Sequence, residues 1–215
     1  MKMPSPRGLS QLGPRGTFEV ALLAAAEENN RIVGLTADLA TTAGMERFRD
    51  KMAERFINVG IAEQNLVGVA AGLADDGWVP FAVTFANFAA IWSCEFVRHH
   101  LGYMQQNFKL VGMGAGFAMG QFGTTHYSLE DMAVLRAIPT LTVISRADCS
   151  EAYEAVHALS VSSSSVLEAQ RSPLEASRAP RRDGISNWTG SGASSWLRRY
   201  PDRHRQHGRC CSCRG

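Results

Sequence analysis

One carboxylate, Glu63, stands at the start of an apolar stretch that is typical of a buried helix. It follows the β-type segment 56–59 and Gly60, and residues 66–74 after it are all Leu, Val, Ala or Gly. An acid in a first helical turn either accepts hydrogen bonds from the exposed N–H groups there or is kept for chemistry. Taken alone, the pattern favours an ordinary helix-terminal charge, because Asp and Glu are common in first turns.

Other candidate side chains follow neighbouring segments of the chain. Phe85 and Phe88 are three residues apart at a strand-to-helix turn, where two rings can present their faces to a flat heterocycle. Periodicity alone favours two core residues at these positions. His126, in Gly-Thr-Thr-His, is by itself more typical of a structural or solvated loop histidine. Asp38 directly follows an apolar segment, where a turn or helix cap is the simpler interpretation.

Short apolar segments alternate with helical stretches around these residues. The pattern predicts strands at 31–36, 56–59, 79–84, 109–113 and 141–145. It predicts helices at 17–29, 63–75, 88–102, 129–137 and 148–159. Strands separated by helices of this length predict an α/β fold with a mostly parallel sheet and helices on both faces.

In such a sheet, ligands bind outside the carboxyl ends of the strands. Five candidate residues lie at the end of a predicted strand or in the loop that follows it: Asp38, Glu63, Phe85, Phe88 and His126. We therefore expect them to converge on one edge of the sheet.

The charge distribution divides the chain. Residues 1–159 contain 12 Lys and Arg against 16 Asp and Glu, whereas residues 160–215 contain 10 Arg against 4 acids. The second part is rich in Ser, Arg and Gly and has no sustained apolar period. We predict a flexible N-terminus at 1–16, one domain at 17–159, and a low-complexity tail at 160–215 that is disordered or frameshifted.

Composition and apolar patterning limit the function classes. The formal net charge of +2 implies no general role in binding nucleic acid or membranes. No apolar run reaches the length of a membrane span, and the N-terminus lacks the apolar core of a signal peptide. These features predict a cytoplasmic protein. A His and Cys group at 204–213 lacks the Cys-x-x-Cys pairing of a zinc module, so we expect no metal site in this chain.

Four segments of the chain resemble the pyrimidine-binding domain of transketolases. They are 60–65 (Gly-Ile-Ala-Glu-Gln-Asn), 80–88 (Pro-Phe-Ala-Val-Thr-Phe-Ala-Asn-Phe), 123–126 followed by Glu130-Asp131, and 136–139 (Arg-Ala-Ile-Pro). The likeness runs through roughly residues 17–158 in the family's order and spacing, and is greatest to the C-terminal subunits of split, two-chain transketolases. It implies the thiamine-diphosphate-binding fold of the pyrimidine-domain type.

The resemblance implies thiamine diphosphate as cofactor and the transfer of a two-carbon ketol unit between sugars or sugar phosphates. The cofactor reacts after its own 4′-imino group removes the thiazolium C2 proton, which requires a proton partner at N1′ of the pyrimidine ring. Glu63 matches the family's glutamate for that role. A helix N-terminus favours the ionised carboxylate and burial opposes it, so the resemblance implies a tuned acid.

The same resemblance assigns roles to the other candidates. Phe85 and Phe88 match the aromatic wall around the aminopyrimidine, and Asp38 matches an acid that approaches the thiazolium ring. His126 matches an active-site histidine that contacts donor-sugar hydroxyls. Thr42 falls where many members carry a hydroxyl that helps to hold substrate phosphate, although an ordinary polar loop residue is the simpler interpretation.

The chain departs from the family at four substrate-side or cofactor-side positions. Phe122 stands four residues before the histidine, where larger transketolases have an acid, and a second histidine of those enzymes falls near Gly114. Trp92 stands where split members commonly have arginine, and Ile91 at a further aromatic position. We therefore expect altered substrate contacts.

The family's diphosphate motif, Gly-Asp-Gly followed by an asparagine, does not occur in this sequence. The resemblance therefore implies an N-terminal partner subunit that binds Mg²⁺ and the diphosphate, in a dimer of heterodimers or around a homodimer core. It also implies a last strand and a further C-terminal domain, and neither is visible after residue 159. Two hypotheses follow: an enzyme subunit that is active only with its partner, or a truncated, non-catalytic binding or assembly subunit that keeps the fold.

Overall fold

A computed structural model describes residues 4–162 and 166–169 of the chain. These residues fall within one compact unit, Met1–Ala179. The rest of the predicted tail, including the His and Cys group at 204–213, lies outside the described residues.

Six parallel strands form the central sheet, in the order β2-β1-β3-β4-β6-β5. In chain order, β1 to β6 are Ile32–Thr36, Phe56–Asn58, Val79–Phe85, Lys109–Met113, Thr142–Ser145 and Val166–Ala169. The predicted α/β class with a mostly parallel sheet is confirmed.

Six α-helices occur in the described residues; the first precedes β1, and the other five lie between consecutive strands. In chain order, α1 to α6 are Pro6–Glu28, Glu46–Lys51, Glu63–Asp75, Cys94–Val97, Asp131–Arg136 and Cys149–Val161. The predicted helix at 88–102 is a composite, which we call the 88–103 segment: π-helical turns at Phe88–Trp92 and Arg98–Tyr103 flank α4. Short 3₁₀ turns lie at Ala53–Arg55, Gly120–Phe122 and Thr124–His126.

Helices cover both faces of the sheet because the buried strand residues alternate between two apolar clusters. Along β3, Phe81, Val83 and Phe85 join one cluster, whereas Ala82 joins the other. The first cluster includes residues of α1 and α6, and the second includes residues of α3, α5 and the 88–103 segment. None of the helices described above combines the length and apolar character that crossing a bilayer requires.

The start of the chain corrects the prediction of a flexible segment at 1–16. From Pro6 onward these residues are helical, with Ser5 accepting a hydrogen bond from the Gly8 N–H as N-cap. The helix bends at Gly13, whose φ is 69°, next to Pro14. Leu9 is fully buried, so this first part of α1 belongs to the core.

The last strand corrects the expectation that it is missing. β6 lies between β4 and β5 and pairs with both, and α6 extends two residues beyond the predicted boundary at 159. A four-residue strand is too short to show a period of two within a Ser-rich sequence. Its position is determined by pairing with strands that are distant in the chain. Removing residues 160–215 would therefore also remove this central strand.

Candidate active site

The candidate residues follow four strands that are adjacent in the sheet, β2, β1, β3 and β4. Asp38 lies after β1, and Glu63 lies after β2 as the first residue of α3. Phe85 ends β3, and His126 lies in the connection that leaves β4. All of them are thus at the carboxyl edge of the sheet, where α/β proteins bind ligands.

The side chain of Glu63 is mostly buried, and its carboxylate has no partner in the part of the chain that the structure describes. Its exposed fraction is 6%, and its carboxylate has no hydrogen bond or ion pair with another described residue. The preceding residue, Ala62, has no side chain to cap α3. Neither carboxylate oxygen is among the fully enclosed polar atoms without a partner, so the carboxylate reaches the surface of the described chain and is open to a group from outside it.

Asp38 is held by a second side chain, that of Asn58 at the end of β2. The Asp38 N–H donates to Asn58 Oδ1 at 2.9 Å, and Asn58 Nδ2 donates to Asp38 Oδ1 at 3.0 Å. The Gly60 N–H donates to the same Asn58 Oδ1 at 3.0 Å. This network ties the loop that carries Asp38 to the loop that leads into Glu63.

The imidazole of His126 lies against both candidate phenylalanines. Its ring centroid is 6.0 Å from that of Phe85 and 5.4 Å from that of Phe88, with edge-to-face geometry in both pairs. The two phenylalanine rings are 6.0 Å apart. Phe85 is 5% exposed and belongs to the apolar core, whereas Phe88 is only partly buried. Of the two rings, Phe88 is therefore the better placed to meet a ligand.

Two departures from the family pattern have direct structural consequences. Phe122 is 51% exposed and its ring centroid lies 5.0 Å from that of His126, so the imidazole meets an apolar ring there. Gly114 has a φ of 72°, and a Cβ atom at this position would lie 2.7 Å from Met119 Cγ. A histidine would be strained at Gly114, because side chains disfavour that backbone conformation.

A cleft of about 430 Å³ lies beside Phe88. Phe88, Ile91 and Trp92 line it from the 88–103 segment, and the other lining residues are Asn87, Thr124, Thr125, Tyr127, Leu129 and Glu130. Two hydrogen bonds hold its surroundings: Asn87 Nδ2 donates to the Thr125 carbonyl at 2.7 Å, and Gln64 Nε2 to the Trp92 carbonyl at 3.1 Å. Glu130 is the only charged lining residue among those described.

The structure joins some predicted site residues and leaves others apart. Ring contacts unite Phe85, Phe88 and His126, and the Asn58 amide links Asp38 to the turn before Glu63. Thr42 lies exposed in the loop between β1 and α2, and its hydroxyl makes no hydrogen bond to a described residue. Within the described ranges, no group of three or more His, Cys, Asp or Glu residues could hold a metal ion.

Sequence reasoning missed Asn58. The available signal was an asparagine two residues before a glycine, the pattern of a turn in which the Asn side chain accepts from the backbone two residues on. That signal predicts the bond to Gly60 but not the pair of bonds to Asp38, which is 20 residues away in the chain.

Comparison with known protein families identifies the family of this chain. Residues 11–174 match the family described as transketolase, pyrimidine binding domain. The chain belongs to the transketolase family. Its match continues past residue 159 and includes β6, in agreement with the observed pairing of that strand.

Curated transketolase relatives include single subunits of larger enzymes. The 6-deoxy-6-sulfo-D-fructose transketolase subunit SqwH of Clostridium sp. (strain MSTE9) is 38% identical over 151 residues, which are 70% of this chain and 47% of that protein. A subunit of the apulose-4-phosphate transketolase of Phocaeicola vulgatus is 36% identical over 145 residues, or 67% of this chain and 46% of that protein. The chain thus spans about half the length of these relatives.

A solved transketolase structure shows the same fold. It is described as a split gene transketolase, inactive beta4 tetramer, and superposes with a TM-score of 0.66 at 37% identity. The superposition covers 74% of this chain and 51% of that one. The predicted resemblance to the C-terminal subunits of split transketolases is therefore confirmed.

Proposed function

We propose that this chain supplies the pyrimidine-binding half of a thiamine-diphosphate-dependent transketolase that moves a two-carbon ketol unit between sugars. The observation that carries the proposal is Glu63: a mostly buried side chain whose carboxylate has no partner among the described residues, at the carboxyl edge of a transketolase-family sheet. Relatives of this chain include transketolase subunits, which supports a role as a transferase subunit.

The residues at this edge fit an aminopyrimidine ring. Glu63 would hold the proton at the ring's N1′ atom, since no described protein group competes for its carboxylate. Phe85 and Phe88 would form an aromatic wall, with Phe88 presenting the more exposed ring. When bound, thiamine diphosphate supplies the carbon nucleophile that carries the two-carbon unit.

The remaining candidates would orient the cofactor and the sugar. We assign Asp38 to the thiazolium side, where Asn58 already fixes its carboxylate. His126 would contact sugar hydroxyls, because Thr125 Oγ1 lies 3.0 Å from its Nδ1 atom and Nε2 is left for another partner. Thr42 would hold a substrate phosphate.

A second chain would complete the enzyme. The sequence has no Gly-Asp-Gly motif, so Mg²⁺ and the diphosphate would be bound mainly by an N-terminal transketolase subunit. The assembly would be a dimer of heterodimers or would contain a homodimer core, in the cytoplasm. This proposal predicts that neither chain is active by itself.

Calorimetric titration with thiamine diphosphate tests the proposal. The chain alone, with excess Mg²⁺, should bind the cofactor weakly, and addition of the diphosphate-binding chain should bring the Kd to about micromolar or better. Micromolar binding to the chain alone would require a diphosphate site that the sequence does not show. Absence of binding with the partner present would count against a catalytic role.

A non-catalytic assembly subunit is the second candidate. The split-gene relative is described as an inactive tetramer of β chains, so related chains associate without activity. This chain also exposes large apolar side chains along the 88–103 segment and just after it, which are typical of a surface that another protein covers: Ile91, Trp92, Phe96, Tyr103 and Met104. Self-association with no cofactor binding in the complete titration would favour this function.

A further inference from the structure

We infer that Asn58 is a positioning residue of this site, which sets both the Asp38 carboxylate and the turn that delivers Glu63. The inference rests on the proposed function. It depends on the hydrogen bonds of a single side-chain amide that joins two loops at the carboxyl edge of the sheet.

The Asn58 amide makes three hydrogen bonds, all between 2.9 and 3.0 Å. Its Oδ1 atom accepts from two backbone N–H groups, those of Asp38 and Gly60, and its Nδ2 atom donates to Asp38 Oδ1. Among protein side chains, a carboxamide of this length is suited to accept twice and donate once in this manner. The contacts therefore require asparagine chemistry and not merely a polar group.

Both backbone N–H groups that Asn58 binds belong to residues whose φ lies in the left-handed region. Asp38 has a φ of 59° and Gly60 a φ of 77°. For a residue other than glycine this conformation is unfavourable and persists where the surroundings enforce it. The two bonds between Asn58 and Asp38 provide that enforcement, because they fix the Asp38 N–H and carboxylate together.

The bond to Gly60 acts on Glu63 through the turn between β2 and α3. Glu63 begins α3 only three residues after Gly60, and the Ala62 N–H donates to the Gly60 carbonyl at 2.8 Å. Ala62 has no side chain to cap the helix, so the path of this turn determines where α3 begins. Asn58 holds the Gly60 N–H group within that turn.

The test compares Asn58→Ala and Asn58→Asp with Asn29→Ala as a matched control. Asn29 Oδ1 also accepts from a backbone N–H two residues on, that of Arg31 at 3.0 Å, but at the opposite end of β1. Amide hydrogen exchange is measured on the full chain alone. Asn58→Ala should accelerate exchange at Asp38 and Gly60 by about tenfold or more, and Asn58→Asp, which keeps both acceptor bonds, by much less.

The second readout is exchange of the thiazolium C2 proton in the two-chain assembly with thiamine diphosphate and Mg²⁺. Both Asn58 variants should slow it by about tenfold or more, because each loses the donor to Asp38 and the aspartate also places a second carboxylate beside it. The KM for the sugar should stay within about twofold, and Asn29→Ala should match the wild type in every readout.

Glu63→Gln separates failure of the inference from failure of the proposed function. Wild-type C2 exchange in both Asn58 variants, with loss of exchange in Glu63→Gln, overturns the positioning role alone. Wild-type C2 exchange in Glu63→Gln overturns the proposed function and the inference with it. If Asn58→Ala does not fold, Asn58→Asp decides the question, because it preserves the shape of the side chain.

Discussion

The two edges of the parallel sheet use their polar side chains in different ways. At the amino edge, Arg55 donates to the carbonyls of Ala26 and Asn29, at the end of α1, and to that of Ile32 at the start of β1. Its guanidinium thereby satisfies carbonyls that a helix end leaves without partners. Lys109, at the start of β4, donates to Asn107 and to the Ser162 carbonyl.

At the carboxyl edge, the candidate acid has no partner within the described ranges. Glu63 is only 6% exposed, yet no described residue binds its carboxylate. The cationic groups of Arg55 and Lys109 are thus bonded within the chain, whereas the carboxylate of Glu63 has no partner among the described residues. Variants at the two edges should therefore separate activity from stability.

The largest effect should follow from Glu63→Gln, which keeps the size of the side chain but removes its ionisable proton. We expect turnover of the two-chain enzyme to fall by about 10²-fold or more, with cofactor affinity largely retained. Steady-state kinetics with the second chain present would measure this. Glu46→Gln, at an exposed acid in the first turn of α2, is the control. Wild-type turnover in Glu63→Gln would refute the assignment.

Lys109 should affect the pH dependence of stability. Burial lowers its pKa from 10.5 to about 8. Between these values the unfolded chain binds one more proton than the folded chain, so stability rises with pH. The destabilisation caused by burying the Lys109 ammonium group is fully present below pH 8 and is lost above pH 10.5. Across this pH range the free energy of unfolding should rise by about 3 kcal/mol.

Urea unfolding between about pH 7 and pH 10.5 measures the Lys109 effect. Lys109→Met should flatten this part of the stability profile, whereas Lys51→Met, at an exposed lysine, should leave it unchanged. A profile with the same slope in wild type and Lys109→Met would show that another group titrates there.

Arg55→Ala should lower stability by about 2 kcal/mol, because it leaves the carbonyls at the end of α1 without their charged donor. Turnover per folded enzyme should not change, since Arg55 lies at the opposite edge from Glu63. Thermal unfolding and kinetics on the same samples test both statements. Arg49→Ala removes an exposed arginine whose guanidinium bonds its neighbour Asp50, so it should have little effect. A large loss of turnover in Arg55→Ala would contradict the division between a stabilising amino edge and a catalytic carboxyl edge.

The smallest effect should come from His126→Ala. This variant removes the contact that we propose between His126 and a sugar hydroxyl, so kcat/KM should fall by about tenfold, with cofactor affinity unchanged. His99→Ala is the control, because His99 is exposed on the 88–103 segment and its ring contacts are with His100 and Tyr103, away from the phenylalanine pair. An equal reduction in both variants would indicate a general effect on the fold.

Much of the fold could be predicted from apolar periodicity. The limits of α3, Glu63–Asp75, agree with the predicted 63–75 because polar residues bound an uninterrupted apolar run. α2 was missed because its six residues are mostly charged and Phe48 is its one buried side chain. The π-helical turns that begin at Phe88 and Arg98 could not be predicted, since they depend on backbone hydrogen bonds and not on side-chain spacing.

The site could be predicted in outline because strand ends place residues at one edge whatever the details of the loops. The burial of Phe85 in the core and the partial exposure of Phe88 could not be predicted, since both positions have the same residue type and similar neighbours in sequence. Asn58 was missed for another reason. Its importance depends on the left-handed φ of Asp38, which no sequence pattern specified.

The position of β6 has a consequence for the order in which the chain acquires structure during synthesis. β5 pairs only with β6 within the described residues, and β6 is translated last of the six strands. Until residues 166–169 have left the ribosome, β4 is an open edge and β5 has no neighbour, a state that is prone to wrong pairing. Synthesis that stopped just before residue 166 would thus release a chain with most of its core but an incomplete sheet.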